Sequence, residues 1–277
     1  MGIKDYQVDM HIHTIASDGT WTVDELLDRI IKNNIKIFSI TDHDTIENSI
    51  KMLNKVPSNI CYVIGVEISC TYNDEEYHIT AYDFDYENIK LNELLKFNRI
   101  QRKNSNTRVI EYVQQQNKIK DITDYYSYTH SRERGGWESL NYLIDKNIIK
   151  DINEYFEIVK LSKEKLCLKN PKEIIEIIKD AGGYSFLAHP SAYNKGEKLS
   201  VEALNEWKSF GISGIECFSP YLKNIEDANY YVKFCEENNL MISAGSDCHG
   251  EFNNRTLGVP KVNIDKLRLE FINNTVI

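Results

Sequence analysis

Short apolar runs alternate with longer stretches of helical periodicity along most of the chain. QVDMHI (7–12) is β-prone, and VDELLDRIIKNN (23–34) carries its apolar residues at helical spacing behind Thr22, with Glu25 three positions on completing a capping box. IKIFSITDHD (35–44) repeats the strand pattern and TIENSIKMLNKV (45–56) the helix, while CYVIGVEISC (61–70) and EYHITAYDFD (76–85) are two further strands. From 90 to 165 the pattern becomes mostly helical, rich in Asn, Gln and Lys, with no buried strand. Alternation resumes at NPKEIIEIIKDAGG (170–183), where Asn170 is the predicted N-cap, Pro171 takes the first helical position and Gly182 or Gly183 ends the helix. It continues through YSFLAHP (184–190), VEALNEWKSF (201–210), ISGIECFSP (212–220), IEDANYYVKFCEENN (225–239) and LMISAGSDCHG (240–250).

Strands alternating with helices imply βαβ units and a largely parallel sheet. Seven strand candidates suit a (β/α) barrel of the TIM type, and 277 residues accommodate one such barrel with an insert. The expectation is therefore an α/β fold with a barrel formed by 1–89 plus 166–277 and an inserted, mainly helical cap subdomain at 90–165.

Composition narrows the function classes. No run approaches the roughly 18 uncharged apolar residues of a membrane span, and MGIKDYQVDM lacks the basic stretch and apolar run of a secretory leader, so a cytoplasmic location is expected. The six cysteines show no CxxC spacing and read as reduced thiols. A net charge of -9 argues against a binder of long nucleic acid. An anionic substrate would need local cations, which bound metals would supply.

Six of the seven histidines (11, 13, 43, 78, 189 and 249) lie on, or at the C-terminal end of, a predicted strand. In a parallel α/β barrel those ends converge on one face, where active sites are built. The two-residue period of a strand puts His11 and His13 on one face, as chelation needs. Carboxylates accompany them: Asp18 after His13, Asp42 and Asp44 flanking His43, Glu67 ending VIGVE, and Asp247 two before His249. Singly, each has an ordinary explanation as a core histidine or a solvated acid; their joint placement does not.

In this order, DMHIHTIASDG (9–19), TDHDT (41–45), GVEIS (65–69), LAHP (187–190) and GSDCHG (245–250) resemble the polymerase and histidinol phosphatase (PHP) family of metal-dependent phosphoesterases, over residues 5–89 and 170–260. The resemblance implies a distorted seven-stranded barrel holding up to three divalent metals, with nine ligands: His11, His13, Asp18, His43, Glu67, His78, His189, Asp247 and His249. It further implies that His11, His13 and Asp247 hold one metal, Asp18, His43 and His249 a second, and His78 with His189 a third. Glu67 would bridge, and catalysis would rest on Glu67, His43 and Asp247. Imidazoles and carboxylates without thiolates accommodate Mn, the expected metal, and also Fe or Zn. Such a site activates water and neutralises phosphoryl oxygens.

TDHDT following SDG, with a helical insert between His78 and His189, looks most like the branch that acts on nucleoside 3',5'-bisphosphates and short RNA. HITAYDFD departs from that branch's His-x-Leu-Gly-Tyr pattern, and ECFSPYLKN lacks a histidine usual just after it. The expected activity is hydrolysis of a phosphate monoester of a small nucleotide or short oligonucleotide. Histidinol-phosphate phosphatase is the alternative within the family, and a non-catalytic metal- or nucleotide-binding domain the alternative outside enzymology. An amidohydrolase-type reaction on a C–N bond ranks below these because the motif order matches the phosphoesterases.

Within the insert, THSRERGGWESLNYL (129–143) places Arg132 and Arg134 before a Gly-Gly turn and Trp137. Arginine forks fit phosphate oxygens and an aromatic can stack on a base, so these three are the candidate substrate clamp. The plainer alternative is a solvated basic turn with a core tryptophan. Asp42, Asp44 and Asp9 are candidates to orient ligand imidazoles, and Glu216 to sit just behind the ligands. His130 reads as a surface or cap histidine, and Cys248 as a buried neighbour facing away from the metals.

Overall fold

The computed structural model describes residues 7–272; of MGIKDYQVDM, read above as lacking the features of a secretory leader, the first six residues lie outside that range. Each of the seven expected strand regions holds a strand, and one holds two. They are β1 (Gln7–Asp9), β2 (Ile35–Phe38), β3 (Cys61–Tyr62), β4 (Gly65–Tyr72), β5 (Glu75–Tyr82), β6 (Tyr184–Leu187), β7 (Gly214–Phe218) and β8 (Met241–Ala244). The helices are α1 (Val23–Lys32), α2 (Glu47–Leu53), α3 (Ile89–Gln115), α4 (Glu138–Asp145), α5 (Ile152–Ser162), α6 (Pro171–Asp180), α7 (Val201–Ser209) and α8 (Ala228–Asn238). The Thr22–Glu25 capping box and the Asn170 cap ahead of Pro171 both form.

The seven-stranded barrel is corrected in two respects. Among the described residues the strands form two sheets, β1-β2-β3 and β4-β5-β6-β7-β8, and no continuous ladder closes them. Nor is the second sheet all parallel: β5 runs antiparallel to both β4 and β6. The cause is local. Only Asn73 and Asp74 separate β4 from β5, both at positive φ (50° and 66°), and a two-residue connection reverses the chain instead of crossing it over. Isolated bridges still link the sheets, Ile12 with Cys248 on one side and His43 with Glu67 on the other, so the segments that carry the motifs lie side by side.

The main core lies between the five-stranded sheet and α6, α7, α8 and the start of α3. The 27-residue α3 spans two cores. Leu91, Leu94 and Leu95 enter the main one, whereas Val109, Ile110 and Val113 join a separate cluster with Leu140, Leu143, Tyr155 and Ile158. Between them the polar stretch RIQRKNSNTR (99–108) passes over the strands that carry His43, Glu67 and His78.

Candidate metal centre

Beyond β1 the chain stays extended through the Ile12 bridge, so His11 and His13 face the same interior, with ring centroids 5.1 Å apart. Three buried aspartates shape the loops around them. Asp42 accepts from the Thr14 amide at 2.7 Å, the Thr14 hydroxyl at 2.6 Å and the Ser17 hydroxyl at 2.6 Å, which folds the turn presenting Asp18. Asp44 accepts from the Ser69 amide at 3.1 Å and from Asn98 Nδ2 at 2.7 Å. Asp9 accepts from the amides of Ser246 (2.9 Å), Gly258 (2.8 Å) and His11 (3.3 Å). The expectation that these acids orient imidazoles is thus corrected: Asp9 accepts only backbone N–H groups, while Asp42 and Asp44 each accept one backbone N–H together with side-chain hydroxyls or an amide, so all three organise the loops around the ligands.

Glu67, fully buried, is the hub. Its Oε1 lies 2.9 Å from His189 Nε2 and 3.1 Å from His78 Nδ1; its Oε2 lies 3.0 Å from His43 Nδ1 and 3.3 Å from both His11 Nε2 and His13 Nε2. Asp247 Oδ1 is 3.1 Å from His13 Nε2, and Asp18 Oδ1 is 3.3 Å from His249 Nε2. The ligand-type atoms gather into three groups: His13, Asp18, His43 and His249; His11, His13, Glu67 and Asp247; and His43, Glu67 and His78. His189 reaches the cluster through Glu67.

These residues fit divalent cations on structural grounds. Glu67 Oε2 and the Nδ1 atoms of His43 and His78 are buried with no hydrogen-bond partner, although each lies close to another of the cluster's polar atoms. His11 Nε2 and His13 Nε2 face each other at 3.1 Å. Such orphaned groups cost about 1–3 kcal/mol each, and shared cations of the Mn, Fe or Zn type would satisfy them.

The electrostatics point the same way. Burial opposes the charged form of His13, yet Asp247 and Glu67 outweigh it and raise its pKa to about 9. His78 rises against burial to about 10 beside Glu67 and Glu76. His43 falls to about 3, chiefly through burial. Burial pushes the Glu67 and Asp247 carboxyls up, but the surrounding imidazoles hold both well below the usual carboxylate range. Two residues of the cluster also carry backbone strain: His189 (φ 29°) and Asp247 (φ 49°) occupy the left-handed region, which costs a non-glycine residue on the order of 1–3 kcal/mol.

Outside this ring, Glu216 Oε2 meets His11 Nδ1 at 2.7 Å, which fixes the tautomer and aims Nε2 at the centre. Four further residues escaped the sequence reading. Tyr221 and Arg255 donate to Asp247 Oδ2 at 2.7 and 2.5 Å, and Arg102 pairs with Glu76, which contacts His78. Only Glu76 left a signal, since the two-residue strand period puts it on the face of His78.

The Gly135–Gly136 turn reaches the centre through its backbone. Gly136 donates its N–H to the Asp18 carbonyl at 2.8 Å, and a Cβ on Gly135 would lie 2.9 Å from that same oxygen. Arg132 is exposed; Arg134 Nη1 is tied to both oxygens of Asp145 at 2.9 and 3.0 Å. Trp137 packs against Tyr155, Phe156 and Phe252, as a core tryptophan does. His130 is half-buried in the same segment, and Cys248 packs into the core beneath α1.

Comparison with known proteins agrees with this geometry. The chain is 24% identical to the 5'-3' exoribonuclease of Haemophilus influenzae over 246 residues, which cover 87% of this chain and 89% of that protein. It is 23% identical to the 3',5'-nucleoside bisphosphate phosphatase of Chromobacterium violaceum over 257 residues, 87% of each. A solved structure of a candidate metal-dependent phosphoesterase from Bifidobacterium adolescentis shares the fold, with a TM-score of 0.78 at 22% identity over 96% of this chain and 95% of that one. The PHP domain profile matches residues 9–212, which is most of the chain and takes in every ligand-type residue from His11 to His189, and on that match this protein belongs to the PHP domain family of metal-dependent phosphoesterases.

Proposed function

We propose that this chain hydrolyses a phosphate monoester of a small nucleotide, a nucleoside 3',5'-bisphosphate or the end of a short oligonucleotide. The observation that carries the reading is the buried Glu67 carboxylate with five imidazoles within 3.3 Å of its oxygens. His11, His13 and Asp247 would hold one cation, Asp18, His43 and His249 a second, and His78 with His189 a third, with Glu67 shared and Mn the preferred metal. Cations bound there supply Lewis-acid neutralisation of phosphoryl oxygens and a water of lowered pKa. The protein's own part is positional. Glu216, Tyr221 and Arg255 keep His11 and Asp247 aimed, and His43, uncharged at neutral pH and partly open to solvent, lies where substrate would enter.

The substrate class is supported by the activities named for the Haemophilus and Chromobacterium relatives. The turn from Arg132 to Trp137 leans on Asp18, and within it Arg132 is the fork open to grip the phosphate that is not cleaved, because Arg134 is engaged by Asp145. A cytoplasmic setting fits the unpaired state of all six cysteines. No helix among the described residues is long and apolar enough to cross a membrane.

The test is phosphate release from adenosine 3',5'-bisphosphate and from histidinol phosphate, side by side with Mn²⁺ and a His43→Ala control. Preference for the bisphosphate, abolished in the control, is the expected result. Turnover of histidinol phosphate alone would transfer the protein to amino-acid chemistry.

A further inference from the structure

His78 stands at the edge of the centre, with a carboxylate beside each ring nitrogen. Nδ1 lies 3.1 Å from Glu67 Oε1 and Nε2 lies 3.1 Å from Glu76 Oε1. Glu76 is itself gripped by Arg102, whose Nη1 donates to Oε2 at 3.0 Å and whose Nη2 pairs with Oε1. The same Nη2 donates to Ser69 Oγ at 3.2 Å, and Ser69 is the residue directly opposite His78 in the β4–β5 register. One turn earlier on α3, Asn98 donates to the Ser69 carbonyl at 2.8 Å and to Asp44 at 2.7 Å, so the helix is fixed on the strand pair at two successive turns.

We infer that Glu76 and Arg102 are positioning residues for His78, through which a helix running into the insert sets the geometry of the outermost cation. This rests on the reading of His78 as a ligand. The physical argument is one of tautomer and orientation. A carboxylate paired with a guanidinium is an ionised acceptor, so when a cation takes the place of the other ring proton the imidazole keeps its proton on Nε2 and offers the Nδ1 lone pair on the side of Glu67. A carboxylate behind a ligand imidazole also makes it a stronger donor. Glu76 alone would not hold that geometry, since its side chain is one-third exposed and free to rotate; the two-point grip of Arg102 removes the freedom. Sheet geometry makes the arrangement available: residues two apart on β5 share a face, and α3 lies across it.

The test uses the full chain, dialysed against graded Mn²⁺ and assayed for metal per chain by elemental analysis, with circular dichroism melting as the control for folding. In Glu76→Ala the weakest-bound Mn²⁺ should show an affinity loss of about 10–100-fold, the range for removing such an outer partner. Arg102→Ala should weaken the same ion, and Glu76→Gln, which keeps an acceptor oxygen, should weaken it less. Because the residues act through His78, Glu76→Ala combined with His78→Ala should bind no more weakly than His78→Ala alone. A folded Glu76→Ala or Arg102→Ala chain with unchanged metal content and affinity would overturn the inference, as would full additivity with His78→Ala. If the alanine variants do not fold, Glu76→Gln and Arg102→Lys decide the matter by the same readout. A wild-type chain that binds no Mn²⁺, Fe²⁺ or Zn²⁺ would instead remove the metal-phosphoesterase reading itself.

Discussion

At the scale of single residues, Arg132 and Arg134 stand two positions apart on one turn, both exposed, and differ in what holds them: Arg134 is tied to Asp145, whereas the Arg132 side chain makes no hydrogen bond or ion pair among the described residues. From that difference, Arg132→Ala should raise KM for a 3',5'-bisphosphate about tenfold, the loss expected for one charge-assisted contact of roughly 1.4 kcal/mol, and leave KM for a monophosphate nearly unchanged. Arg134→Ala should have the smaller effect, and steady-state kinetics on both substrates reads the contrast. Glu216→Ala should lower metal affinity about 10–100-fold by releasing His11, measurable by the same metal analysis. Six histidines on or just past strands, and their acids, were legible in the sequence because chemistry-bearing residues at such positions are scarce. Their supports were not. Arg255, six residues past His249, and Tyr221, in a loop after β7, carry no local pattern, and only folding brings both onto Asp247 Oδ2.

At the scale of elements, caps and periodicity placed helices well because these signals act within a few residues. The error in strand direction came from reading alternation as parallel pairing while Asn73-Asp74, a hairpin signal, sat between β4 and β5. Such a turn asks for residues tolerant of positive φ. Asp74→Val should therefore destabilise the fold by about 1–2 kcal/mol, whereas Asp74→Gly should be neutral or mildly stabilising, as chemical denaturation would reveal. Close approach of elements sets another constraint. A Cβ on Gly245, just after β8, would collide with the His11 Cβ and lie 3.0 Å from the His11 amide nitrogen. Gly245→Ala should thus cost about 1–3 kcal/mol and loosen the metal group of His11, so that the melting temperature and bound metal fall together. Normal metal content in a folded Gly245→Ala chain would contradict this.

At the scale of the whole molecule, the chain carries a net charge of -9 and yet gathers six imidazoles around three acids in its interior. In the metal-free protein His13 and His78, with pKa values of about 9 and 10, are protonated at pH 7. Cations bind neutral imidazole, and His11 too is held well above its ordinary value by Glu67, Glu216 and Asp247, so loading should release about two to three protons per chain and apparent affinity should climb with pH up to about 9 to 10. Calorimetry in buffers of different ionisation enthalpy measures that release, and its absence would contradict those charge states. Linkage gives the companion effect. Both pKa values lie above the unfolded value near 6.5, so their stabilisation is complete below that pH and is lost as pH rises through about 9 to 10. The gap in melting temperature between Mn²⁺-loaded and chelator-stripped protein should accordingly widen over that interval.

The sequence by itself determined the α/β class, the element order, the helix caps and the set of ligand-type residues, because all of these depend on spacing within a strand, a turn or a motif. The tertiary structure decided the rest: two bridged sheets with an antiparallel β5, Asp42, Asp44 and Asp9 committed to the loops around the ligands, Trp137 packed against a second core, and Arg255 and, through Glu76, Arg102 at the centre. These depend on which distant segments meet. Local periodicity carries no record of such meetings, since a buried N–H or carboxylate finds its partner only when folding brings the two segments together.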